Sequence, residues 1–392
     1  MSSLSEANIH FAIDLFQQIR QSKKENIFYS PFSMTSALAM TSLGAQGQTA
    51  SEIEKVLHFN EITENTNGGG SRDPVEKLEN VHHQFQNLLT EIKKPSDAYE
   101  LKVANRLYGE KSIVFLQEYI DNVKKFYLAS VESADFVHAA EESRNMINSW
   151  VESQTNEKVK DLFPKDSFST DTILVLVNAM YFKGQWLQEF KKENTVEEKF
   201  WLNKDTSKSV QMMKQTNLFN FTSLEDMHVR ILEIPYKGKE LSMVVLLPDE
   251  VDGLQKVEDQ LTAEKLIEWT SPQNMREGLV DLHLPRFRVE ESYDLNDPLK
   301  ALGMVAAFSD RDADFSGMTE IRGLVVSKVV HKSVVEVNEE GTEATGATGI
   351  EIITRSGRIP DTFHCDHPFL FFIKHNKTNT ILFYGRVSSP EM

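Results

Sequence analysis

Only one cysteine, Cys365, stands in the 392 residues. No intrachain disulfide can therefore staple the fold, and a reducing compartment suits the chain without being required. Positive charge is also scarce. A formal net charge of −17 lacks the positive field that nucleic acids and anionic membranes select, so neither is an expected partner. The basic pairs Lys93-Lys94, Lys124-Lys125 and Lys191-Lys192 read as solvated helix or loop ends. Long hydrophobic runs are absent. The longest, residues 173–182, is too short to span a bilayer and contains Asn178. The opening Met-Ser-Ser-Leu-Ser-Glu has neither a basic n-region nor an apolar h-region. A cytoplasmic location is expected, and release without a signal peptide is compatible with it.

Catalytic and metal signatures are missing too. No Gly-x-Ser-x-Gly nucleophile elbow occurs. Gly341-Thr-Glu-Ala-Thr-Gly346 has the glycine spacing of a phosphate loop, but Ala347 stands where the lysine must be. Asp310-x-Asp312-x-Asp314 opens like a calcium loop, yet Phe315 and Ile321 fill the positions that need glycine and glutamate. It reads as a polar turn. His364-Cys365-x-His367 lacks a second ligand cluster at finger spacing. No metal, no cofactor and no enzymatic activity are expected.

The composition that is present, 40% hydrophobic and 26% charged, is that of an ordinary globular protein. Ile9, Ala12, Ile13, Phe16 and Ile19 recur at helical spacing. Ser30-Pro31 reads as an N-cap followed by a first-turn proline. Thr49-Ala-Ser-Glu52 reads as a capping box. Residues 60–73, with Gly68-Gly-Gly70, read as a flexible interhelical loop. Helices are predicted over 115–127 and 141–158, and a strand over 101–108. Residues 173–182 suit a strand buried on both faces. Further strands are predicted over 241–247, 279–287, 325–337, 369–373 and 380–386. Helices thus dominate the first half and strands the second, without the alternation of a doubly wound sheet. One α+β domain over 1–392 is the expectation.

Residues 339–358 combine loop and strand chemistry. Glycines and small residues leave the backbone free, while Thr348, Ile350, Ile352, Ile353 and Thr354 favour strands. At period two, Thr342, Ala344, Gly346, Thr348, Ile350 and Ile352 share one uncharged face, and Glu343 and Glu351 share the other.

Several motifs taken together resemble the serpin family. They are Asn26-Ile-Phe-Tyr-Ser-Pro-Phe-Ser33, Asn178-Ala-Met-Tyr-Phe-Lys-Gly-Gln-Trp186 and Glu233-Ile-Pro-Tyr-Lys-Gly238. Leu284-Pro-Arg-Phe287, Val330-His-Lys332, Glu340-Gly-Thr-Glu-Ala344 and His367-Pro-Phe-Leu-Phe-Phe372 follow in family order. The chain resembles the intracellular, ovalbumin-like branch (clade B), and within it the squamous cell carcinoma antigen group. The resemblance implies three β-sheets, about nine helices and an exposed reactive-centre loop within residues 339–362.

It also implies a mechanism. A protease attacks the loop, forms an acyl-enzyme and is carried away as the loop inserts into the central sheet; insertion is a property of the family, not something the residues show. Fourteen inserted residues at ~3.3 Å each would span roughly 46 Å, comparable to a domain of this size. Glu340, Gly341, Thr342, Glu343, Ala344, Thr345, Gly346, Ala347 and Thr348 match the hinge. Gly346 and Gly349 cost strand propensity, which slows insertion and diverts some encounters to plain cleavage. Family loop length places the scissile bond at Arg355-Ser356, with Arg358 the rival position. An arginine there suits a specificity pocket with a carboxylate, hence trypsin-like serine proteases as partners. Ser30, Ser33, Asn178 and His331 match the polar cluster under the opening sheet, and Trp186 a residue near the entry point. A monomer is expected. Two alternatives stay open: inhibition of papain-like cysteine proteases, and a non-inhibitory binding protein.

Overall fold

The computed structural model describes residues 3–65, 74–341 and 359–392, with backbone alone at 63–65 and 74–79. Seven of the ten described α-helices come early. They are α1 (Ser3–Ile19), α2 (Pro31–Ser42), α3 (Gly47–Val56), α4 (Phe59–Asn65), α5 (Pro74–Ile92), α6 (Gln117–Tyr127) and α7 (Ala140–Gln154). Among them run β1 (Ile27–Tyr29), β2 (Tyr99–Glu110) and β3 (Ser130–Ala134). Then follow β4 (Leu174–Gly184), β5 (Val196–Trp201), β6 (Ser207–Leu224), β7 (Val229–Pro235) and β8 (Leu241–Pro248). Short helices α8 (Leu254–Gln260) and α9 (Ala263–Trp269) lead into β9 (Arg276–Pro285) and β10 (Phe287–Asp294). The chain closes with α10 (Asn296–Leu302), β11 (Val326–Val337), β12 (Asp361–His364), β13 (Phe369–His375) and β14 (Thr380–Val387).

The strands pair into a five-stranded sheet, β10-β11-β4-β2-β3, and a nine-stranded network. The network has two limbs because β6 is long. Its first part carries β5 and β9, with β12 beyond, and its last five residues pair with β7, which leads through β8, β13 and β14 to β1. The three expected sheets thus appear as two hydrogen-bonded networks. Among the described residues, no helix is long and apolar enough to cross a membrane.

Strand β4 is buried on both faces, as its apolar run predicts. Leu174, Leu176, Met180 and Phe182 enter the main core, while Val175, Val177, Ala179 and Tyr181 pack under α7 with Ile147 and Val151. In the main core, α1 and α2 lie against β14, and Phe28 stacks on both Phe371 and Phe383, at 5.7 and 5.3 Å between centroids. Ser30 caps α2 as expected, its hydroxyl accepting from the Ser33 N–H at 3.1 Å.

Two local expectations give way. Residues 60–65 continue α4 instead of forming loop, because Phe59 and Ile62, three apart, are both buried and Phe59 meets Phe85; residues 66–73 lie outside the described residues. The capping box at Thr49 is not one, since α3 starts at Gly47. Thr49 instead accepts from the Asp314 N–H at 2.9 Å, and Glu52 accepts from the N–H groups of Val305 and Ala306 at 2.8 and 2.9 Å. Both side chains cap the polar segment after α10.

Truncating the central ring of the aromatic stack tests this core. Phe28→Ala should cost about 3–5 kcal/mol, measured as a lowered urea midpoint; a loss below about 1 kcal/mol would mean that the stack is not a packing centre.

Candidate functional site

The centre of the five-stranded sheet is unusual. Strands β11 and β4 pair in parallel, while β10–β11 and β2–β4 are antiparallel. Register sets His331 opposite Asn178. Both sit on the core face beneath α2, since strand residues two apart share a face and Leu176 and Val329 enter the main core.

Four polar side chains meet here with no exposure at all: Ser30, Asn178, His331 and Ser333. The His331 Nδ1 lies 2.7 Å from Asn178 Oδ1. Its Nε2 accepts from the Ser30 N–H at 2.9 Å and faces the Ser333 hydroxyl at 2.6 Å. Ser33 Oγ donates to Asn178 Oδ1 at 2.7 Å. Burial disfavours the charged imidazolium and lowers the His331 pKa to about 3. A neutral ring accepting at Nε2 carries its proton on Nδ1, where Asn178 receives it. Buried polar groups that are all bonded cost little, so the seam is closed by a satisfied network.

Ser30, Ser33, Asn178 and His331, expected as a polar cluster, come together, and Trp186, expected near the entry point, lies apart from them. It lies eight residues beyond Asn178, past the end of β4. Ser333 was missed, although a serine two positions after a buried strand histidine shares its face.

A second constellation closes the end of the seam. Trp186 stacks on Tyr236, 4.5 Å between centroids and 8° apart, and its indole N–H donates to the Asn338 carbonyl at 2.7 Å. The Trp186 and Phe190 N–H groups donate to the carbonyls of Glu340 and Glu339, each at 3.0 Å. Gly341 bridges to Trp186. A β-carbon there would lie 2.6 Å from the Trp186 oxygen, so only glycine allows this approach. Glu339, 2% exposed, receives Arg286 through two nitrogens and Thr195 Oγ1 at 2.8 Å. Burial pushes its pKa up, but the bonds from Arg286 and Thr195 outweigh that and hold it below the ordinary glutamate value. Glu340 pairs with Lys183 at 3.2 Å. Arg286 and Thr195 were not singled out from sequence; nothing in their spacing points to Glu339.

The described chain leaves the sheet at Gly341 and resumes at the exposed Ile359. The hinge positions 342–348 and the pair Arg355 and Ser356 lie outside the described residues. Asp361 and Thr362, expected in the loop, belong to β12, because they pair in parallel with β9 opposite Val280 and Asp281.

Comparison with known proteins settles what this arrangement belongs to. The family model described as "Serpin (serine protease inhibitor)" matches residues 6–390. The chain is a serpin. It is 65% identical over 393 residues to Serpin B4 of Homo sapiens, covering 100% of both chains. It is 48% identical over 396 residues to the leukocyte elastase inhibitor of Homo sapiens, again covering 100% of both. The crystal structure of uncleaved ovalbumin superposes with a TM-score of 0.90 at 39% identity, covering 99% of this chain and 100% of that one. This serpin thus falls in the ovalbumin-like branch, with the fold expected of it.

The buried imidazole gives the serpin an acid sensitivity with a defined sign. The native pKa of about 3 lies below the ~6.5 of an unfolded histidine. Between those values only the unfolded chain binds this proton, so stability rises with pH across the window and falls on acidification. The slope due to His331 is about 1.4 kcal/mol per pH unit. His331→Gln should give a shallower dependence of the urea midpoint between pH 4 and 6; an unchanged slope would show that His331 is not held neutral.

Proposed function

We propose that this serpin is a suicide-substrate inhibitor of trypsin-like serine proteases, cut at Arg355-Ser356. The observation that carries the reading is the parallel seam with a loop root at its open end. A segment that leaves β11 past Asn338 and turns back between β11 and β4 runs antiparallel to both. One parallel interface becomes two antiparallel ones, which pair slightly better per residue. Each new backbone hydrogen bond adds about 0.5–1.5 kcal/mol net. The seam offers register from Leu174 opposite Val326 to Lys183 opposite Glu336, long enough to receive a strand starting near Gly341.

In this reading the protease serine attacks the Arg355 carbonyl, the Ser356 amine leaves with a proton, and an ester to Arg355 remains. Insertion then carries that ester away from the entry end. Opening the seam must break the bond between His331 and Asn178, so Ser30, Ser33, Asn178, His331 and Ser333 act as its latch. Trp186, Glu339 and Arg286 hold the loop root before cleavage. The name of the leukocyte elastase inhibitor supports an inhibitory role. Arg355 favours trypsin-like targets, and Thr354 beside it lacks the apolar character that papain-like proteases prefer.

A panel of trypsin-like and papain-like proteases, read on denaturing gels, tests the reading. Trypsin-like enzymes should form stable covalent complexes, and the released peptide should begin at Ser356. Arg355→Ala should abolish those complexes with the fold intact. A peptide starting at Ile359 would move the bond to Arg358, and complexes with papain-like enzymes alone would overturn the assigned class.

Thr342→Arg separates inhibitor from substrate. The substitution sets a charge on the face that must enter the sheet, at a cost of several kcal/mol. Attack at Arg355 stays unhindered. The variant should be cut cleanly and release active protease; covalent trapping at wild-type stoichiometry would refute insertion from Thr342.

A further inference from the structure

Strands β9 and β12 bring together a group that no sequence spacing announces. Asp281, His283 and His364 are each partly buried, and their nearest ligand atoms all lie within 4.8 Å of one another. Among the described residues it is the one such group of three or more metal-ligating side chains. We propose that these three residues form a zinc site that staples the edge strand β12 to β9.

The three side chains converge closely enough for one ion to reach all of them. Register sets His364 opposite His283, and the rings stack with centroids 3.7 Å apart and 8° between planes. The Asp281 carboxylate offers one oxygen to each ring: Oδ2 is 3.1 Å from His364 Nε2, and Oδ1 is 3.4 Å from His283 Nε2. Donor atoms around a tetrahedral zinc ion stand roughly 3.2–3.4 Å apart. The two contacts are close to that spacing but run to different oxygens. Binding therefore requires one ring to tilt out of the stack and turn its Nε2 toward the oxygen that faces the other, which converges the lone pairs on a single point. Two imidazoles and a carboxylate are ligands that suit zinc, and a water completes four.

The surroundings fit a cation. Thr216 Oγ1 lies 3.4 Å from Asp281 Oδ1 as an outer partner. Lys214, opposite His283, is paired with Glu198. The run containing His364 does not bind metal on its own. Cys365 is buried in the main core, and His367 is occupied by Asp366 and the Pro248 carbonyl. The ligands come instead from two strands some eighty residues apart in sequence.

The ion would matter mechanically. Strand β12 is four residues long and, among the described strands, lies at the end of its sheet and pairs with β9 alone. So short an edge strand frays easily, and a shared ion adds a cross-link that backbone bonds do not supply.

Calorimetric titration of the full chain with zinc chloride at pH 7.4 tests the site, with cobalt(II) as a spectroscopic probe. One ion should bind per chain, and the cobalt form should show the visible absorption of a four-coordinate site. His364→Asn and Asp281→Asn should each weaken zinc binding by at least roughly tenfold. Zinc should slow amide exchange in Phe363 and His364 in the wild type and not in the variants, with His283→Gln as a further variant if either fails to fold. Absent saturable binding, or affinity undiminished in the variants, would overturn the site. Binding lost in the variants without slowed exchange in the wild type would overturn the staple.

Discussion

Everything in this molecule turns on the parallel pairing of β11 with β4. Parallel strands normally need a long crossover and lie buried between helices. Here the pair is buried on both faces, yet its two outer neighbours run antiparallel to it. The sheet therefore contains one interface that an additional strand would improve. Besides the backbone ladder, the two strands are joined by the network beneath α2, where His331 and Asn178 bond directly across the seam at 2.7 Å. A neutral imidazole is the right group for this task. A charged one would demand a counter-ion in the core, and an apolar one would add no directional bond across the strands.

The chain on either side of residues 342–358 is held by different chemistry. Before them, Glu339 is buried and paired with Arg286, while the Trp186 indole and backbone fix Asn338, Glu340 and Gly341. These contacts are directional, and Gly341 admits no side chain at the point of closest approach. At the other end the chain enters β12, an edge strand of four residues. One root is tied down beside the seam by these bonds, and the other is a short strand on a different sheet.

Much of this was legible in the sequence, for identifiable reasons. Residues 173–182 announced a strand buried on both sides, and the observed strand alternates between two cores as that pattern requires. Ser30-Pro31 announced the start of α2, because few residues cap and none but proline pre-sets the first turn. Residues 60–65 misled because a polar composition hid Phe59 and Ile62, which anchor a helical turn against Phe85. Thr49 and Glu52 misled in another way: their spacing is that of a capping box, but tertiary partners after α10 take both side chains.

What stayed illegible shares a physical character. Arg286 with Glu339, Thr195 with Glu339, and Asp281 with His364 are all pairs made by the packing of distant strands. Periodicity reports which face a residue takes, not which remote residue it meets there. The one missed residue that periodicity could have supplied is Ser333, which follows His331 on the same strand face. Local pattern therefore fixes the two strands and the polar network between them. The anchors at either end of the loop depend on strand order, and strand order is decided by the long β6, whose pairings along its length bring β9, β12 and β7 into one network.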